Sequence, residues 1–146
     1  MNILACVDLS ESTEDIVGRA VEIADAVSAK LWLLHVAEPE PDFIGYEVGP
    51  QSVRDSLSVK YHEQHRILQE IADRVRRGGV DATALLVQGA TVETILARAK
   101  KLRADMIVVG THGRGAMYQL LVGSVSEGLL HSAKCPLLVV PTHQRR

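Results

Sequence analysis

Gly110, Gly113, Gly123 and Ser124 stand at a spacing that suits a phosphate-holding loop, Gly-x2-Gly-x9-Gly-Ser. The motif follows an apolar run, Met106-Ile107-Val108-Val109. Glycines placed after a buried strand let backbone amides approach an anion closely. Amides at a helix N-terminus are already oriented, and the helix dipole adds to their attraction for negative charge. Gly123 opens such a helix, so Ser124 and Val125 can present their amides, and the hydroxyls of Ser124 and Ser126 can add bonds. Each hydrogen bond to a charged group contributes roughly 1.5–3 kcal/mol net. Three or four of them correspond to affinities from roughly millimolar to micromolar. On spacing alone, tight turns and close packing explain the three glycines about as well.

The motif differs from two familiar phosphate loops. No GxxxxGK(S/T) occurs, so no lysine reaches terminal phosphates. Gly110-Thr111-His112-Gly113-Arg114-Gly115 spaces its glycines as GxxGxG, which is not the dinucleotide fingerprint GxGxxG. Asp8 directly follows the first apolar run. A carboxylate there can accept bonds from ribose hydroxyls, or serve as a turn residue. His112 and Arg114 lie within the glycine loop, where Arg114 can pair with a terminal phosphate or remain solvated. His62 and His65 are three residues apart on a predicted helix, but no third metal ligand accompanies them. No convincing catalytic set emerges.

These residues need a scaffold. Five short apolar runs are visible: Ile3 to Val7, Leu31 to Val36, Ala84 to Val87, Met106 to Val109 and Leu137 to Val140. Near-continuous apolar strands are typical of a parallel sheet covered on both faces. Between them lie helical periods. The first, about Ser12 to Ser28, places Ile16, Val17, Ala20, Val21, Ala24 and Val27 on one face, with Ser12 and Asp15 as a predicted capping box. The second, about Val53 to Arg77, ends at Gly78-Gly79. The third runs from about Thr91 to Leu102 and the fourth from about Ser124 to Ser132. Strand–helix alternation predicts an α/β domain, with ligands at the carboxyl ends of the strands. Asp8, Val36, Gly89 and Gly110 all fall there. Residues 37–52 hold three prolines and two glycines and read as a long loop.

Composition narrows the function classes. The chain has 146 residues, 47% of them hydrophobic, enough for one domain spanning residues 1–146. Aromatics are 3%, which argues against stacking platforms for single-stranded nucleic acid. The net charge of -2 provides no basic field for a nucleic-acid backbone. No apolar stretch approaches the roughly 18 residues of a membrane span. The N-terminus reads as a first strand rather than a leader. Cys6 and Cys135 lie in or beside apolar runs and suggest reduced thiols in a cytoplasmic protein.

Taken together, Val108-Val109-Gly110-Thr111-His112-Gly113, then Gly123-Ser124-Val125-Ser126, then Cys135-Pro136-Leu137-Leu138-Val139-Val140-Pro141 resemble the universal stress protein family, in its nucleotide-binding branch. Ile3 to Asp8, Leu33-Leu34-His35-Val36 and Gln88-Gly89 fit as well, so the resemblance covers almost the whole chain. It implies a doubly wound five-stranded parallel sheet in the order 3-2-1-4-5, ATP binding, and homodimerisation through the last strand. By this resemblance, Asp8 holds the ribose and the Val36 backbone reads the adenine, with Gly89 lining that side. Gly110 passes near the ribose and α-phosphate. Gly113, Gly123, Ser124 and Val125 cradle the phosphates, whose oxygens hold Mg2+ or Mn2+. Ala90 stands where the family often has proline, a departure expected to loosen the start of the third helix. Three readings follow: an ATP-dependent regulatory protein, a slow ATPase or autophosphorylating enzyme, and an interaction module taking AMP, cyclic AMP or no nucleotide.

Overall fold

A computed structural model describes residues 1–37, 51–111 and 124–142, with side chains described from Ser58 onward in the second helix. Five strands and four helices alternate among these residues. They are β1 (Asn2–Cys6), α1 (Thr13–Val27), β2 (Lys30–Ala37), α2 (Gln51–Arg77), β3 (Ala82–Gln88), α3 (Thr91–Leu102), β4 (Met106–Gly110), α4 (Ser124–Ser132) and β5 (Leu137–Val140). Every pairing is parallel, in the order β3-β2-β1-β4-β5. The sheet order that the resemblance implied is the one observed.

Strand alternation divides the core in two. Ile3, Ala5 and Val7 join Leu31 and Leu33 under Ile16, Val17, Ala20, Leu68 and Ala72. Leu4, Leu34, Ile107 and Val109 point to the other face, under Ile95 and Leu129. Successive strand side chains face opposite ways, so a strand covered by helices on both sides must be apolar at every position. The absence of a polar alternation in the sequence has this cause. On the second face α3 and α4 approach closely at Gly128, where an added Cβ would lie 2.9 Å from Val92 Cγ2. Arg74 Nη2 reaches both carboxylate oxygens of Glu14, at 2.9 and 3.0 Å, and ties α2 to α1. Both side chains are largely exposed, which limits the pair to about 1 kcal/mol or less.

Some boundaries differ from the sequence reading. β3 starts at Ala82 rather than Ala84, because its pairing with β2 continues through Leu31 and Trp32. β1 ends at Cys6, although the Val7 N–H still bonds the Leu34 carbonyl at 2.9 Å. The expected capping box does not form. Ser12 has helical angles (φ -72, ψ -14) and makes no side-chain cap; its hydroxyl turns to Ser10 instead, at 2.8 Å. A cap residue needs extended angles to aim its oxygen back at the helix amides, and Ser12 lacks them. The Gly78-Gly79 stop holds, with Gly79 at φ +101. Residue 37 of the expected 37–52 loop belongs to β2 and residues 51–52 to α2; residues 38–50 lie outside the described residues.

Ala90, the N-cap of α3, has φ -71 and ψ 133 and makes no side-chain cap. Those angles suit proline. Ala90→Pro is therefore expected to raise stability by about 0.4–1 kcal/mol, by reducing the freedom of the unfolded chain. Urea unfolding checks this, and a destabilised variant would show that the Ala90 N–H is needed.

Candidate functional site

The chain reverses direction across the sheet between β1 and β4. From β1 it moves through β2 to β3; it then crosses to β4 and β5. The connections leave the carboxyl ends of β1 and β4 on opposite faces, which opens a crevice there. Asp8, Val36 and Gly110 stand at the carboxyl ends of the three adjacent strands β1, β2 and β4, with Asp8 two residues beyond β1.

Asp8 is held by the turn it begins. Its Oδ1 accepts from the Ser10 N–H at 3.0 Å and from the Ser10 hydroxyl at 2.5 Å. Between them, Leu9 has φ +62. The left-handed region is uncommon for a bulky side chain, and such strain survives only where surroundings enforce it. Leu9 packs against the first core cluster, which pins the turn from below. Nothing in the sequence signals a left-handed leucine, so this part of the site was not legible there.

Val36 is defined by the ladder. Leu34 accepts from Val7, so the polar backbone groups of Leu34 face β1. Two residues on, the N–H and C=O of Val36 face the same side, whereas Ala37 faces β3 and accepts from Gly89 at 3.1 Å. β1 has already turned away at this level, and among the described residues no backbone bond joins Val36 to Val7. A donor and an acceptor therefore sit side by side at the crevice. His35 is buried, and its Nδ1–H donates to the Val7 carbonyl at 2.9 Å. The sequence shows His35 only as part of a strand; its polar contact becomes visible when β1 and β2 are paired.

Gly110 and α4 meet directly. The Ser126 hydroxyl donates to the Gly110 carbonyl at 2.6 Å, and Ser126 is 1% exposed. This bond fixes the first turn of α4 against the end of β4. The amides of Ser124, Val125 and Ser126 belong to that first turn, where helix geometry provides no intrahelical acceptor. Ser124 is exposed and Val125 half-buried. Glu127, in the same turn, is also exposed and adds a negative charge that opposes an anion. The hydroxyl of Ser126, which the sequence offered to a ligand, donates here to the Gly110 carbonyl.

Two glycines are explained by packing. A Cβ on Gly110 would stand 2.6 Å from Thr142 Cγ2 and 3.0 Å from Ile16 Cδ1. One on Gly89 would stand 2.6 Å from Thr94 Oγ1. Gly113, Arg114, Gly123 and His112 lie outside the described residues. Among the described residues no three His, Cys, Asp or Glu side chains cluster as metal ligands. Burial pushes the Cys6 thiol up to about 12, so it is no nucleophile at neutral pH.

Comparison with known proteins places this geometry. The model of the universal stress protein family matches residues 1–141. Universal stress protein A homolog 1 of Coxiella burnetii is 34% identical over 140 residues, covering 95% of this chain and 94% of its own. The universal stress protein UspA of Lactobacillus plantarum superposes with a TM-score of 0.80 at 23% identity, over 96% of this chain and 97% of its own, a likeness of fold. A universal stress protein solved in complex with cAMP superposes with a TM-score of 0.73 at 27% identity, over 98% of each chain. Among the described residues no helix is long and apolar enough to cross a membrane. With a family match across nearly its whole length and the family's sheet beneath the crevice, this chain belongs to the universal stress protein family.

Proposed function

We propose that residues 1–146 form a single ATP-binding regulatory domain acting in the cytoplasm, whose bound nucleotide stabilises one conformation or dimer. The observation that carries the reading is the pair of Val36 backbone groups facing the crevice, beside a helix N-terminus fastened to Gly110. Adenine offers an acceptor at N1 next to a donor at N6, which match the Val36 N–H and C=O. Asp8, with Oδ1 occupied by Ser10, is held beyond β1 as the ribose-binding carboxylate. The first-turn amides of α4 attract the phosphates, joined in this proposal by Gly113, Arg114 and Gly123. Mg2+ or Mn2+ would bind through phosphate oxygens, since the described residues supply no cluster of ligands. The nucleotide in the related cAMP complex supports an adenine pocket and keeps cyclic AMP as the second ligand to test.

A regulatory role suits this site better than rapid turnover. Ser126, one of two hydroxyls near the phosphate end, is buried and bonded to Gly110. The other, Ser124, is the candidate acceptor if phosphate is transferred within the protein. Pairing of two copies through β5 completes the proposal. β5 is at the sheet edge, its Leu137, Leu138 and Val139 remain partly exposed, and exposed apolar edges tend to pair. Light scattering showing a monomer at every concentration would remove the dimer.

Melting with and without Mg-ATP tests the nucleotide, run on the parent and Gly123→Val. At a hundred times Kd the folded state gains about 2.7 kcal/mol. The parent is expected to melt higher with ATP and the variant to stay unmoved. A parent that ignores millimolar ATP but responds to cyclic AMP would change the ligand, and one that ignores both would overturn the reading.

A further inference from the structure

We infer that His35 is a positioning residue that keeps the adenine-reading edge of Val36 out of the sheet, an inference that rests on the nucleotide-binding reading above. In a regular parallel ladder the bond after Val7 N–H to Leu34 C=O runs from the Val36 N–H to the Val7 carbonyl. Among the described residues that bond is missing, and the Val7 carbonyl instead accepts from His35 Nδ1–H at 2.9 Å. The contact fixes the tautomer, because a carbonyl only accepts.

His35 stands on a strand whose neighbours Leu31, Leu33 and Leu34 are buried and apolar. At 7% exposure an imidazole is costly there unless its polar atoms are bonded. Its contact with Val7 does two things. It terminates the β1–β2 ladder at the level where β1 must turn into Leu9 and Ser10. It also leaves the Val36 N–H and C=O facing the crevice together. A leucine at this position would fill the same space but supply no donor to the Val7 carbonyl, and the ladder would extend by one bond. The Val36 amide would then be spent within the sheet.

The test separates the base from the phosphates. Amide hydrogen exchange on the parent comes first and needs no variant. The Val36 amide is expected to exchange faster than that of Leu34, and to be protected by ATP but not by inorganic triphosphate. Next come His35→Phe, which keeps bulk without a donor, and His35→Asn, whose side-chain amide nitrogen can replace Nδ1. His35→Phe is expected to bind ATP about five- to tenfold more weakly, the scale of one lost hydrogen bond. Its affinity for inorganic triphosphate should equal the parent's, and His35→Asn should recover most of the ATP affinity.

A His35→Phe protein with parental ATP affinity overturns the inference. So does one that loses ATP and triphosphate equally, which is the signature of general damage. Should the parent bind neither compound, the nucleotide reading fails, and exchange of the Val36 amide in His35→Phe, expected to be slower than in the parent, still decides the role of His35. A Val36 amide as protected as Leu34 in the free parent means that the ladder was never interrupted.

Discussion

Gly110→Val is expected to lower both the stability of the protein and its response to nucleotide. A Cβ at this position falls 2.6 Å from Thr142 Cγ2, closer than real Cβ contacts come, and 3.0 Å from Ile16 Cδ1, which is tighter than most. Thr142 cannot yield easily, since its N–H bonds Thr111 Oγ1 at 3.1 Å and its hydroxyl lies 3.3 Å from the same oxygen. Overpacking of this kind costs about 1–3 kcal/mol. For a chain of this size each kcal/mol lowers Tm by roughly 2–4 °C, so a fall of several degrees should be plain in a thermal melt. The variant should also displace the Gly110 carbonyl from Ser126 and loosen the first turn of α4. A double-mutant cycle isolates the contact. Gly110→Ala combined with Thr142→Ser, which removes the crowding methyl and keeps the hydroxyl, should be more stable than Gly110→Ala alone relative to each background. If Thr142→Ser gives no relief, packing against Thr142 is not the reason for glycine here.

Leu34→Ala should have the larger effect on stability. Leu34 is fully buried and pairs with β1 on one side and β3 on the other. It belongs to the cluster under α3 and α4 with Leu4, Ile95, Ile107, Val109 and Leu129. Removing the side chain deletes its transfer free energy and leaves a cavity that a sheet bonded on both sides collapses poorly around. The expected loss is about 2–5 kcal/mol, a large share of the roughly 5–15 kcal/mol typical of a domain. Urea unfolding should show a lower midpoint with an unchanged slope. A loss below about 1 kcal/mol would mean that α3 and α4 close the gap. Because Leu34 also receives the last β1 bond before Val36, nucleotide affinity in the folded variant reports how far that edge depends on core packing.

The site was legible to different degrees at different residues. Gly110 stood out because glycine after an apolar run is conspicuous, yet its packing cause, Thr142 from the far end of the chain, has no local signature. Ser126 was readable as a hydroxyl beside the candidate phosphate loop; the carbonyl it bonds lies sixteen residues earlier and becomes its partner only when α4 folds back over β4. Ser12 looked like a helix cap by residue type, but the competing contact with Ser10 won. His35 and Leu9 carried no functional signal. A buried imidazole and a left-handed leucine acquire meaning from what surrounds them.

The sequence by itself determined the layout. Apolar runs without polar alternation require a sheet covered on both faces, and the helical periods between them require parallel crossovers. The glycine spacing singles out the end of β4 as the candidate place for an anion. These are properties of short segments, set by side-chain period and backbone freedom. Tertiary structure decided how the polar groups at the crevice are used. Whether an amide or carbonyl is consumed or presented depends on which strand lies beside it and where that strand turns away. Val36 faces the crevice because β1 leaves at Val7 and His35 takes the carbonyl it leaves behind, a relation among residues 28 positions apart that only pairing of the two strands creates.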